Sequence, residues 1–404
     1  MPWIAPTESR LLRGWRSFLM RVLHVTDCYL PRVGGIELHV RDLATRQSQR
    51  RDHAEILTLT PRAIGDPADP EWVHRVSGSD PHPAGLTRSW TQLERALRAT
   101  RPDVVHVHVS VVSPFSTMAA YIAGRLRIPT LITVHSVWTR LGPLPALAQG
   151  TMRLREWPVT WSAVSSVAAS PVQEMLGCSH RVHVLPNAVD LAEWAKPHPP
   201  VDSRTGAASG PLTILSVMRL TRVKRALPLA AMLGKVREQT TEIDARAVII
   251  GDGPQRARME RYLQRHHLQD WVTITGRLDR DAIRIHLDQA SLFWAPAELE
   301  SFGIAPLEAR THGLPVVASS HSGVGEYITH GVEGLLGAKD ADMVTHVVDL
   351  LTDESLRRRI AHHNTSVPPH HDWDEACRRT DELYRVAALR LESARSITLP
   401  GRRS

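Results

Sequence analysis

At 404 residues the chain is too long for one ordinary hydrophobic core and fits two domains of normal size. Its 42% hydrophobic and 23% charged residues exclude disorder or a collagen-like repeat as the main state, and no apolar run is long enough to cross a bilayer. A net charge of +7 suits an anionic ligand, but Lys and Arg are dispersed without an RNA-binding aromatic signature, so nucleic acid is not an expected partner.

Residues 1–19 precede the first strand pattern and lack the clean apolar stretch of a signal peptide; they read as an extension. The three cysteines, Cys28, Cys178 and Cys377, have no CxxC spacing, so neither structural zinc nor a disulfide framework is expected and a reducing cytoplasm is the default. A first domain is expected over 20–195. It begins with a buried strand at 21–26, a helix from Leu38 to Ala44, a strand from Ala54 to Leu59 and a helix from Trp90 to Ala99. A strand from Val104 to Val109, a helix from Thr117 to Leu126 and a strand from Thr130 to Val134 follow, then a further strand region from Trp161 to Ala168. Residues 196–211, rich in Pro, Gly and Ser, read as an interdomain linker. A second domain over 212–375 restarts the pattern with strands at Leu212–Val217, Ala247–Ile250, Val272–Thr275, Ser291–Ala295 and Val316–Ala318. The alternation predicts an α/β protein of two doubly wound parallel sheets, facing one another across a cleft. A terminal helix over 376–391 and a frayed tail over 392–404 complete the expected organisation.

The segment with the most chemistry runs from Trp294 to Ser319. A strand ends near Pro296, and a loop carries Glu300, Ser301, Phe302 and Gly303. A helix is expected to begin near Pro306 and to end at Gly313, with Pro315 blocking its continuation. The backbone N–H groups of 302–304 then lie where phosphate oxygens bind well, and Glu308 falls in the first helical turn. Taken alone, Glu308 is an ordinary helix-dipole partner and Glu300 a solvated loop charge.

The surrounding residues change that balance. Glu-Ser-Phe-Gly-Ile-x-Pro-Leu-Glu-Ala, with Gly-Leu-Pro-Val-Val-Ala behind it, closely resembles the signature of family 4 retaining glycosyltransferases of GT-B fold. The resemblance implies that Glu300 contacts hydroxyls of a donor sugar and that Glu308 holds the nucleotide ribose. It makes Ser301, Phe302, Gly303 and Ile304 part of the donor loop. Leu215 to Arg225 is similar to the family's Gly-Arg-Leu…Lys-Gly segment, which implies that Arg219 and Lys224 hold the donor diphosphate; Met218 and Arg225 stand where glycines are usual. Val248-Ile-Ile-Gly-Asp-Gly-Pro254 resembles a family strand and tight turn, with Gly251 in it, and Gly276-Arg277 a segment bordering the base. Pro31 to His39 looks like the first glycine loop, with Gly34 and Gly35 before a helix, and Thr133-Val-His-Ser136 resembles the family position that puts a histidine near the reacting sugar, which implies that role for His135. Matches in this order extend over about residues 21–390.

His106 and His108 share a strand face, a spacing also used by metal sites, but the sequence nominates no third ligand and the metal reading is rejected. No Asp-x-Asp cation site is expected either, and no cofactor, since the nucleotide sugar is a substrate. The resemblance implies transfer of a hexosyl group from a UDP- or GDP-type donor with retention, to a glycan, a lipid-linked or a small-molecule acceptor on the first domain. Acceptor contacts are sought in 61–90 and 138–161, where Trp138, Trp157 and Trp161 could meet sugars or a membrane surface as easily as fill the core. The expected location is cytoplasmic, with peripheral contact at the inner membrane face where the acceptor is lipid-linked. Two other functions compete: a nucleotide-sugar epimerase of GT-B fold, and a nucleotide-sugar-binding protein without turnover.

Overall fold

The computed structural model describes residues 19–397 apart from 33, 51, 63, 64, 66, 67, 77–82, 139–152 and 197–209. The expected extension before residue 19, most of the 196–211 linker, much of the 138–161 acceptor stretch and the last residues of the tail lie outside them. The chain divides into two compact units, one of residues 1–187 and 373–404, the other of residues 188–372. Residues 188–195, assigned from sequence to the first domain, therefore belong with the second unit.

The first unit is built on a seven-stranded parallel sheet in the order β3-β2-β1-β4-β5-β6-β7. Its strands are β1 (Arg21–Thr26), β2 (His53–Thr58), β3 (Val73–Arg75), β4 (Val104–Val109), β5 (Thr130–Val134), β6 (Thr160–Ala163) and β7 (Val182–Val184). Helices α1 (Gly35–Gln49), α2 (Pro83–Thr100), α3 (Pro114–Arg125) and α4 (Ser166–Leu176) connect them. All six residues of β4 are buried, as required of a central parallel strand covered on both faces. The short edge strands β3 and β7 carry no periodic signal long enough to be read from sequence.

The expected strand from Trp161 to Ala168 stops at Ala163. Ser165 caps α4 by accepting a hydrogen bond from Ala168 N at 3.1 Å, so Ala168 is helical. An unbroken apolar run suits a buried strand and a buried helix equally, and here the capping serine decides.

The second unit has a six-stranded parallel sheet in the order β10-β9-β8-β11-β12-β13. Its strands are β8 (Leu212–Val217), β9 (Ala245–Ile250), β10 (Val272–Gly276), β11 (Leu292–Ala295), β12 (Val316–Ser319) and β13 (Gly334–Gly337). Its helices are α5 (Leu191–Trp194), α6 (Ala226–Gln239), α7 (Arg256–Arg265), α8 (Arg280–Gln289), α9 (Ile304–Thr311), α10 (Asp340–Thr352) and α11 (Glu354–Ser366). A core of Ile214, Leu229, Leu233, Ile249, Trp294 and Val347 fills the space between sheet and helices. The chain then re-enters the first unit through α12 (Trp373–Ile397), which starts three residues before the expected terminal helix and runs six residues beyond it. Its Leu383 and Tyr384 join the first unit's core beside Val22, Val40 and Leu131.

Candidate functional site

In an open parallel sheet the free backbone groups and loops collect at strand carboxyl ends, and the crevice opens where the strand order reverses. In the second unit that point lies between β8 and β11. Lys224 follows β8 and Glu300 follows β11, and Lys224 Nζ lies 2.5 Å from Glu300 Oε2 with both side chains mostly buried. Two residues 76 apart in sequence are thus brought into one charge-assisted contact.

The Glu300 loop is locked by its neighbours. Gly323 N donates to Glu300 O at 2.8 Å, and a Cβ on Gly323 would sit 2.0 Å from Ser301 O. Gly303 has φ +85°, a left-handed value suited to glycine, and a Cβ there would meet Glu300 Cγ, Tyr327 Oη and Val324 Cγ2 at 3.1 Å each. Phe302 is fully buried against Tyr327 and His371. The Tyr327 hydroxyl donates to the carbonyls of Phe302 and Gly303, and burial, aided by the Glu300 charge, pushes its pKa well above the ordinary value. Tyr327 was not among the residues expected from sequence; a lone tyrosine carries no spacing signal.

The helix after this loop begins at Ile304, two residues earlier than expected, so Pro306 takes its third position. Glu308 is the fifth helical residue, one turn in rather than in the first turn, and it is buried. Gly303 rather than Pro306 sets the start, because its left-handed backbone turns the chain into the helix.

On the other side of β8, Gly251 has φ +145° and a Cβ there would lie 1.8 Å from Met218 O, so β9's turn runs against the loop that carries Arg219. Gly251 N also donates to Gly276 O at 2.8 Å. Arg219 and Arg277 are exposed at this edge. Arg225, at the position where a glycine is usual, adopts φ +61°. Its guanidinium holds Asp340 through bonds of 2.7 and 2.8 Å and donates to Pro296 O, tying the β8 and β11 loops together.

In the first unit, Gly34 caps α1 and Gly35 opens it; a Cβ on Gly34 would approach Glu37 Oε2 to 2.5 Å. His135 follows β5, buried, with its backbone N–H donating to Val109 O. It joins a cluster of His24, His39, His106 and His108, all buried. Burial holds His24 and His39 down at about 4 and the other three well below the usual value, with neighbouring imidazoles adding to the effect at every one but His24. The structure supplies the third imidazole that the sequence did not nominate: His24 on β1 pairs in register with His106 on β4.

Asp27, after β1, accepts from Phe115 N and Ser116 N at the start of α3, where the helix dipole favours a carboxylate. Burial nevertheless raises its pKa. Of the candidate acceptor tryptophans, Trp161 belongs to β6 and is core. Trp138 donates to Ser110 O, and Trp157 lines a cavity of about 910 Å³ with Trp90, Tyr121 and Met118.

Asp-x-Asp spacings do occur, at 279–281, 340–342 and 372–374, the last across the start of α12. Asp279 caps Ala282 N of α8, Asp342 accepts from Ala338 N and Lys339 N, and Asp340 holds Arg225, so these carboxylates serve helix ends and a loop clamp.

Two doubly wound parallel sheets with polar residues gathered at their strand ends define a Rossmann-like ligand-binding protein. Comparison with known families resolves the class further. The model for Glycosyltransferase Family 4 matches residues 33–193, and that for Glycosyl transferases group 1 matches residues 201–366. The chain belongs to the family 4, group 1 glycosyltransferases, and its two units form a GT-B fold. A glycogen synthase of Mycobacterium tuberculosis is 26% identical over 420 aligned residues, covering 94% of this chain and 98% of that protein. An N-acetyl-alpha-D-glucosaminyl L-malate synthase of Bacillus anthracis is 25% identical over 265, covering 64% and 68%. Among solved structures, Anabaena HepE in complex with UDP-glucose superposes with a TM-score of 0.71 at 17% identity, over 91% of this chain and all of that one. A sucrose-phosphate synthase from Thermosynechococcus elongatus gives 0.70 at 18%, over 91% and 98%. The protein is a glycosyltransferase, and no described helix is long and apolar enough to cross a membrane.

Proposed function

We propose that this glycosyltransferase moves a hexosyl group from a UDP- or GDP-type nucleotide sugar to a glycan, lipid-linked or small-molecule acceptor, with retention at the anomeric carbon. The observation that carries the reading is the Lys224–Glu300 pair at the switch point of the second sheet, beside the glycine-opened start of α9. A lysine ammonium has three donors, so Lys224 keeps Glu300 in place while offering its charge to a diphosphate oxygen. Arg219 and the amides of 302–304 share that task, and Glu300 accepts from hydroxyls of the donor sugar. Glu308 holds the ribose and Arg277 borders the base. Gly251, Gly276, Ser301, Phe302 and Ile304 shape the backbone around the donor, and the first unit carries Gly34, Gly35 and His135 as its own candidate sugar contacts.

With Glu308 occupied by ribose, no carboxylate pair is assigned to a covalent intermediate. The bond from the anomeric carbon to the leaving phosphate oxygen breaks, and the acceptor oxygen bonds to the same face. The acceptor's proton passes to an oxygen of the departing diphosphate. Lys224 and Arg219 offset the charge that develops there, a task for which no metal or cofactor is assigned. The crystallisation of HepE with UDP-glucose supports a nucleotide-sugar donor by analogy of fold.

Thermal-shift screening of nucleotide sugars selects the donor, and single-turnover transfer from it tests the roles. Glu300→Ala and Lys224→Ala are each expected to lower transfer by about a hundredfold. Unchanged transfer in both variants rejects the assignment, and a product of inverted anomeric configuration rejects retention. A donor altered without any acceptor present identifies an epimerase instead.

A further inference from the structure

Four buried histidines of the first unit, His24, His106, His108 and His135, belong to one hydrogen-bonded chain whose direction can be deduced from its end. Ser162 Oγ lies 3.3 Å from Ile132 O, a carbonyl that only accepts, so Ser162 donates there. Its single proton is then used, and Thr133 Oγ1 at 2.7 Å must donate to Ser162 Oγ. His106 Nε2, 2.7 Å from Thr133 Oγ1, therefore carries a proton, and His106 Nδ1 accepts from the Tyr384 hydroxyl at 2.9 Å. Tyr384 in turn accepts from Gln47 Nε2 at 3.1 Å, which turns Gln47 Oε1 towards His24 Nε2 at 2.7 Å. His24 Nε2 is the donor, so His24 Nδ1 accepts from His108 Nε2 at 3.0 Å. His108 Nδ1 then accepts from His135 Nε2, also at 3.0 Å.

We infer that this chain, running from the Ile132 carbonyl through Ser162, Thr133, His106, Tyr384, Gln47, His24 and His108, holds His135 in the single tautomer with Nε2 protonated and Nδ1 bearing the lone pair. With the Ser162 proton on the Ile132 carbonyl, each later link follows from the one before it, because a neutral imidazole has one donor and one acceptor and a hydroxyl has one proton. The strand registers make the contacts possible: His24 pairs with His106, and Thr133 with both His108 and Ser162. The members other than His135 are positioning residues, one of which, Tyr384, is supplied by α12 after the chain returns from the second unit. Their bearing on catalysis rests on the proposed contact of His135 with the donor sugar; the tautomer itself does not.

The rival for the same residues is a metal held by His24, His106 and His108. Every ring nitrogen of these three already has a partner in the chain, and His106 could bind an ion only by surrendering Tyr384 or Thr133. No carboxylate is among those partners to offset an added double charge in this buried position.

The test is nitrogen-15 spectroscopy of the full chain labelled at histidine, at neutral pH and without substrate. Single His→Gln variants assign the signals. His24, His106, His108 and His135 are each expected to show a protonated Nε2 and an unprotonated Nδ1. His135 in the opposite tautomer, or averaging between the two, overturns the proposal, as does a stoichiometric metal found by mass spectrometry of the folded protein. Tyr384→Phe breaks the chain in the middle and frees Gln47 to turn over. In that variant His135 is expected to populate both tautomers, and kcat to fall about tenfold with the donor KM within twofold. A single retained tautomer in the folded variant overturns the proposal. Because the wild-type spectrum needs no activity, loss of this inference and loss of the proposed donor site are separate results.

Discussion

Gly303 and Gly323 have no side chain to offer, yet the position of Glu300 depends on both. Gly303 supplies the left-handed turn into α9, and Gly323 lets the chain after β12 lie directly on the Ser301 carbonyl. Gly303→Ala meets an unfavourable φ together with three contacts at 3.1 Å. It is expected to destabilise the protein by about 1–2 kcal/mol in urea denaturation. Gly323→Ala has no such soft outcome: a Cβ 2.0 Å from a backbone oxygen must displace the loop. Transfer activity is therefore expected to fall much further in Gly323→Ala than in Gly303→Ala, measured under conditions where both variants remain folded. Equal activities would show that the Ser301 backbone does not need its present position.

The start of α6 shows how one element compensates for a departure from a family pattern. Where the family resemblance leads one to expect glycine, Arg225 accepts a left-handed backbone, and its side chain binds Asp340 at the start of α10 and the Pro296 carbonyl after β11. The strain is thus offset by contacts that join two loops of the site. Arg225→Ala keeps the strain and removes the contacts. A loss of about 1–3 kcal/mol in stability is expected by denaturation. Arg225→Gly removes both and is expected to fall closer to wild type; the reverse order would refute the compensation. Helix α9 teaches a related lesson about boundaries. Pro306 is acceptable in the first turn generally, and only the backbone angle of Gly303 shows that the first turn begins before it.

Five buried histidines give the molecule a predictable response to acid. Their folded-state pKa values lie below the unfolded value near 6.5, with His24 and His39 at about 4. The unfolded chain therefore binds more protons, and the stability these groups contribute is present above pH 6.5 and lost as pH falls towards 4. Each group contributes a slope of about 1.4 kcal/mol per pH unit in that window. Urea midpoints are expected to fall steeply between pH 6.5 and 4.5 and to vary little between 7 and 8. A flat profile through the acid window would mean that these imidazoles are not held neutral.

Much of this architecture is legible in residue order alone. Alternating apolar runs and amphipathic stretches dictate two parallel sheets, because a strand buried on both faces has to be apolar throughout. The motif around Glu300 and Glu308, the Lys224 segment and the glycine turns point to a glycosyltransferase before any coordinate is seen. These are local signals, carried by neighbours within a few positions of one another. The edge strands β3, β7 and β13 escape because they lack the unbroken apolar run that marks the equally short central strands β11 and β12. The contacts that position the candidate site are long-range. Lys224 with Glu300, Gly323 against Ser301, and Arg225 with Asp340 join residues far apart in the chain. The same holds for the histidine chain: His106 and His108 are visible as a pair, but His24, Gln47 and Tyr384 join them only through strand register and the return of α12. Periodicity and composition specify which face of an element is apolar. Which distant polar groups meet there depends on strand order and register, and those are settled by packing of the whole unit.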